Sequence, residues 1–125
     1  MQKDLYLGVI EMYEPESLRY KELFQLIESS LDVLYSSSIS QDKSEAIRAC
    51  FDIISERIMK SNRFVYVAVE HCKVCFWIKV EKTFLVDNLN KIMDAGILFF
   101  VSDQGDAFRI YIGEYMVELL NNSTQ

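Results

Sequence analysis

The chain has 125 residues, 50% of them hydrophobic and 26% charged, enough to bury a core and too apolar for a disordered protein. Its net charge is −6 and its isoelectric point about 4.8, which argues against nucleic acid as a main ligand, since phosphate binding needs clustered Lys and Arg. No apolar run approaches the ~20 residues that span a bilayer, so no membrane role is expected. The first residues, MQKDLYLGVIEMYE, meet acidic side chains at once and lack the apolar core of a signal peptide. With three cysteines, an odd number, a reducing, cytoplasmic location is expected.

In chain order, Leu5 to Ile10 reads as a short strand with Leu5, Leu7 and Val9 on one face. Pro15 suits the first turn of a helix, where its missing N–H costs nothing. From there to about Tyr35, Leu18, Phe24, Ile27, Leu31 and Leu34 recur at helical spacing. The serine-rich residues 36–40 interrupt the pattern. Ser40 can cap a second helix whose stripe is Ile47, Cys50, Phe51, Ile54 and Ile58. The two helices are expected to form an antiparallel hairpin.

Arg63 to Val80 is dense in strand formers. Fully extended it would span ~60 Å at ~3.3 Å per residue, far beyond the ~14 Å radius of gyration of a domain this size. It must fold back, and its most polar point, Glu70-His71-Cys72-Lys73, is the expected turn. This puts Val74, Phe76, Ile78 and Val80 on one face of the second strand. A third helix is expected from Thr83 to Ala95, facing inward with Leu85, Leu89, Ile92 and Met93 and stopped by Gly96. Two strands then flank Asp103-Gln104-Gly105-Asp106, strong turn chemistry. A short helix from Glu114 to Leu120 closes the chain, and residues 121–125 are expected to fray. The reading is one α+β domain over residues 1–125, with a core from 3 to 120. Its order is β-α-α-β-β-α-β-β-α, with a largely antiparallel sheet and helices packed on it.

Candidate chemistry centres on His71, Cys72 and Cys75. A zinc site needs four ligands, or three and a water. His71, Cys72, Cys75 and Cys50 are the whole Cys and His inventory. Cys50 falls inside an apolar stripe, and Cys72 and Cys75 point to opposite faces if both lie in extended chain. A thioredoxin-like motif should open a helix, whereas strand formers follow this one. His71 is the one residue suited to neutral-pH proton transfer. No GxSxG, HExxH or GxxxxGK[ST] occurs. The expectation is no catalytic residue, no metal and no cofactor: a binding protein rather than an enzyme. A small metal or redox protein built on His71, Cys72 and Cys75 is the alternative within chemistry.

The carboxylates suggest a binding surface. Glu28/Asp32, Asp52/Glu56 and Glu114/Glu118 stand four apart on expected helices, each pair costing roughly 0.2–0.5 kcal/mol by repulsion. Asp103 and Asp106 shape the expected hairpin turn, and from Ile97 onward four acids face a single base, Arg109. Such acidity attracts a basic partner. Tyr13, Tyr20, Tyr35, Tyr111 and Tyr115 stand ready as anchors among the acids.

In size, acidity, α+β composition and missing catalytic set, the chain resembles the small acidic immunity proteins that bacteria make against toxic nucleases, including those of contact-dependent inhibition. The resemblance implies a monomer in a one-to-one complex with a cognate basic toxin domain, occluding its active site. The expected contacts are Glu28, Asp32, Asp52, Glu56, Asp103, Asp106, Glu114 and Glu118. From Arg63 onward the expected order β-β-α-β-β-α also looks like the later part of a type III secretion chaperone, which would imply a homodimer wrapping an effector segment.

Overall fold

The computed structural model describes residues 8–29, 31–38, 43–60, 63–71 and 73–122, with the backbone alone for His71. The elements are β1 (Glu11–Tyr13), α1 (Leu18–Glu28), β2 (Asp32–Ser38), α2 (Lys43–Met59), β3 (Phe64–His71) and β4 (Val74–Glu81). After them come α3 (Lys82–Asp87), α4 (Leu89–Asp94), β5 (Phe99–Ser102), β6 (Ala107–Ile112) and β7 (Met116–Asn121). The seven described strands join one sheet in the order β1-β4-β3-β5-β6-β7-β2, and each pairing among them is antiparallel. The α+β class with an antiparallel sheet and packed helices is therefore what the chain adopts.

Period-two alternation divides the sheet's side chains between two cores. Val65, Val67 and Val69 of β3, with Ile78 and Val80 of β4, face α2, α3 and α4 in a core that holds Cys50, Phe51, Ile54, Ile58, Leu85 and Ile92. Tyr66, Ala68 and Trp77 face the other way, with Val101 and Ala107, onto Leu23 and Ile27 of α1. The two long helices therefore lie on opposite faces of the sheet. This corrects the expected helical hairpin.

The reason is the segment between them. Asp32 to Ser38, read as the end of a helix and a break, is a strand paired along β7 from Asp32↔Asn121 to Ser38↔Met116, with a bulge between Val33 and Tyr35. The helical spacing of Leu31 and Leu34 is overridden by that pairing. At Ser29 the backbone is already extended (ψ 171°), and its hydroxyl donates to the Leu26 carbonyl. Likewise, residues 114–120 are not a helix. Gly113 N–H donates to the Met116 carbonyl at 2.8 Å, turning the chain into β7, whose Val117, Leu119 and Asn121 are buried. The Glu28/Asp32 and Glu114/Glu118 pairs are consequently not helical pairs, and the region after Arg63 ends on a strand rather than the helix of the chaperone pattern.

Smaller boundaries also move. The first described strand is Glu11–Tyr13; of the expected Leu5–Ile10, residues 8–10 are not in a strand, and Leu5 and Leu7 lie outside the described residues, as does Ser40. Helix α1 is capped by Ser17, whose hydroxyl accepts the Tyr20 N–H at 3.2 Å, so Pro15 lies in the turn before the helix. The third helix is divided at Asn88, yet its inward residues hold: Leu85 and Ile92 are buried, with Leu89 and Met93 packed against them. Gly96 takes a left-handed φ of 72°, the stop expected of it. The β3–β4 turn centres one residue later than expected, since His71 pairs with Val74 and Lys73 carries a φ of 66°.

Asn121 and Asn122 are not frayed. Asn121 Nδ2 donates to the Ala107 carbonyl at 2.8 Å. Asn122 accepts the Ala107 N–H and donates to the Gly105 carbonyl, tying the end of β7 to the β5–β6 turn. Among the described residues, no helix is long and apolar enough to cross a membrane.

Candidate functional site

Helix α1 covers only part of its side of the sheet. Its Leu23, Ile27 and Phe24 pack over Tyr66, Ala68, Trp77, Val101 and Ala107, with the Phe24 ring edge-on to Trp77 at 5.1 Å and to Phe99 at 6.1 Å. Beyond Ala107, alternation places Arg109 and Tyr111 on the same face. The β6–β7 and β2–β7 registers extend it in rows. One row runs Arg109, Leu120, Val33; the next runs Tyr111, Glu118, Ser36; Met116 and Ser38 form the last. Val33 is 53% exposed and Tyr111 48%, Ser36 and Ser38 are exposed, and Arg109, Met116, Glu118 and Leu120 are half-buried.

This open face mixes apolar area, a carboxylate and an aromatic ring. The ring of Tyr111 lies against Gly113, where an added Cβ would stand 3.1 Å from Tyr111 Cε1, so a larger residue there would displace it. At the tip of the same hairpin, Glu114 is exposed and Tyr115 is 72% exposed. Arg109 is directed over the Phe99 ring at 5.8 Å, which leaves Glu118 as the charge in the Tyr111–Ser36 row.

The eight carboxylates expected to make one contact surface do not share an element. Glu28 ends α1 and Asp32 begins β2, both exposed. Asp52 and Glu56 are exposed on α2, across the sheet from the open face, and Glu56 stands 3.9 Å from Lys60. Asp103 is committed to structure: its Oδ2 accepts the N–H groups of Arg63 and Phe64 at 2.9 and 3.0 Å, fixing the start of β3. Asp106 closes its turn through its backbone, since its carbonyl accepts the Ser102 N–H at 2.8 Å and its N–H donates to Ser102 Oγ. Glu114 and Glu118 alone belong to the hairpin that carries Tyr111 and Tyr115.

Among the candidate tyrosines the same two stand out. Tyr13 is half-buried, 6.0 Å from the Tyr66 ring, and burial followed by its bond to Glu11 pushes its hydroxyl up to about 12. Tyr20 packs on Phe24 at 4.9 Å, and Tyr35 packs against the α2 core. Val33, Ser36, Met116 and Leu120 were not expected at any site, because their segments read as helix or break. Gly113 directly after the alternating strand residues 107–112 was the available signal for a further hairpin.

The cysteines divide across the sheet. Cys50 is fully buried in the α2 core, where burial pushes its thiol up to about 11. Cys75 packs against the α1 core, and burial raises its thiol while a hydrogen bond with Tyr20 opposes that rise. A sheet stands between them, so these two cannot bind one metal. Cys72 lies outside the described residues. Among the described residues, no three His, Cys, Asp or Glu side chains form a metal-binding group.

A polar cleft of about 470 Å³ separates α1 from the β5–β6 turn, lined by Arg19, Glu22, Ser102, Asp103 and Gln104 among others. Its cation is engaged internally. Arg19 donates to Tyr66 Oη at 2.8 Å, stacks on that ring at 4.7 Å and stands 3.9 Å from Glu22. Arg19 thus joins α1 to β3, a structural task.

No family model, curated protein or solved structure matches this chain.

Proposed function

We propose that this chain is a non-catalytic binding protein that neutralises a cationic protein in the manner of a cytoplasmic immunity protein, using the β6-β7-β2 end of its sheet. One observation carries the reading: Glu118 lies between Tyr111 and Ser36 on a sheet face that no described helix covers. Exposed tyrosines supply rigid contact area at low entropic cost. A half-buried carboxylate beside them is a stronger point of attraction than one in bulk water, because the surrounding protein lowers the local dielectric. The net charge of −6 adds long-range steering toward a basic surface. A basic nuclease domain held there would have its phosphate-binding cations covered by carboxylates.

The immunity reading predicts a basic protein encoded beside this chain's gene, and the test is co-expression with it, followed by measurement of the complex. Replacing Tyr111→Ala, Glu114→Lys and Glu118→Lys together is expected to weaken binding by roughly 30-fold or more, the size of a hot-spot loss of about 2 kcal/mol. Asp52→Lys with Glu56→Lys, on the other side of the sheet, is expected to change it by less than about threefold, as rim charges do. The reverse ranking would move the contact surface to α2. Failure of the chain to bind or rescue growth against that basic protein would remove the immunity reading.

A further inference from the structure

The open face ends at β2, the last strand of the sheet, whose outer edge is paired with no described strand. The sheet's two edges are treated differently. On one side β1 has three residues and is soon followed by Pro15, both devices that discourage further pairing. On the other, β2 runs for seven residues, DVLYSSS, with no Lys, Arg or Pro. Its single irregularity is the bulge between Val33 and Tyr35, which leaves Tyr35 to Ser38 regular. An edge of this kind presents a row of backbone N–H and C=O groups whose natural complement is another extended backbone.

We infer that the outer edge of β2 receives an extended strand of the cationic partner, with a Lys or Arg of that strand reaching across Ser36 to Glu118. The inference rests on the binding function proposed above and specifies how the partner engages. Strands in a sheet stand about 4.8 Å apart. A strand added outside β2 is therefore about 10 Å from β7, two such spacings. Ser36 lies between them and is small, so it leaves a path across the face. The long stem of Lys or Arg on the added strand and the shorter stem of Glu118 together bridge the gap, and the Tyr111 ring lies one strand further on, placed to extend the contact. In the neighbouring row the added strand would meet Val33 and Leu120, with Arg109 beyond, which favours an apolar residue and disfavours a cation. The edge therefore selects a strand that sets a basic residue beside Ser36 and an apolar one beside Val33 on the same face. A second copy of this chain is the poorer occupant, because two molecules of charge −6 repel, whereas a basic strand is attracted to Glu118 and to the chain as a whole.

A nonapeptide of valine and threonine with a single central lysine, titrated into the ¹⁵N-labelled protein at low ionic strength, tests this, with the same peptide carrying glutamate in place of lysine as control. The lysine peptide is expected to shift the amide resonances of residues 32–38 and slow their exchange, and the glutamate peptide to leave them unchanged. Ser36→Lys, which alters an exposed side chain, and Glu118→Gln, which keeps the side chain's shape, are each expected to raise the dissociation constant at least tenfold. If neither peptide protects residues 32–38, or both do so equally, strand docking with basic selectivity is overturned. If the lysine peptide perturbs Tyr111 and Glu118 while β2 amides stay unchanged, strand docking falls and the acidic binding face stands.

Discussion

Asp103 binds two backbone N–H groups at the start of β3, and that commitment outweighs any role it would have toward a partner. Removing this half-buried acceptor leaves two donors without their partner, at a cost toward the lower end of the about 1–3 kcal/mol of a buried group. Asp103→Ala is accordingly expected to lower unfolding stability by about that amount in urea titrations, whereas Asp52→Ala, on an exposed helix surface, should stay within about 0.5 kcal/mol of the parent. Cys50 offers a second residue-level test. Its thiol ionises near 11 in the folded chain against an ordinary value of 9, so the unfolded chain releases that proton first. Its contribution to stability is therefore full below pH 9 and is lost as pH rises from 9 toward about 11. Urea midpoints should fall over that range, and Cys50→Ala should make the fall less steep. Sequence alone identified Cys50 as a core residue, because its position in the α2 stripe is a local property. The commitment of Asp103 depends on a strand some forty positions earlier and had no local sign.

At the scale of elements, the segments that sequence reasoning reached were those whose patterning is self-contained. The β3–β4 hairpin, the β5–β6 hairpin and the inward stripe of α2 each follow from periodicity and turn residues within a short window. The two segments misread, Asp32 to Ser38 and Met116 to Asn121, are each other's partners. β2 has β7 as its one described partner, while β7 is paired by β6 as well, and neither alternates cleanly: β7 carries apolar residues on both faces, with Met116 and Leu120 toward the open side and Val117 and Leu119 toward α2. An open face that retains apolar residues blurs the alternation by which a strand is recognised, so the candidate site was hidden by the property that makes it a site. Helix α1 makes a different point. Its buried residues are Leu23 and Ile27, so its attachment to the sheet rests on few side chains. Leu23→Ala is expected to cost about 2–5 kcal/mol, as for a fully buried leucine, with the loss read as global destabilisation and early amide exchange along residues 18–28.

For the molecule as a whole, the sheet is built from both ends of the chain. Strands β1 and β2, both within the first 38 residues, form its opposite edges. The five strands between them come from residues 64–121. Synthesis runs in one direction, and this order has a consequence in time. Strand β1 has no neighbour until β4 has been made, and β2 has none until β7 emerges. At about 5–20 residues per second, the stretch from Ser38 to Met116 keeps β2 waiting roughly 4–16 seconds on the ribosome. Throughout that interval both edges of β2, rather than one, are open to any extended chain nearby, so nascent protein is most susceptible to mispairing at the strand that completes the sheet.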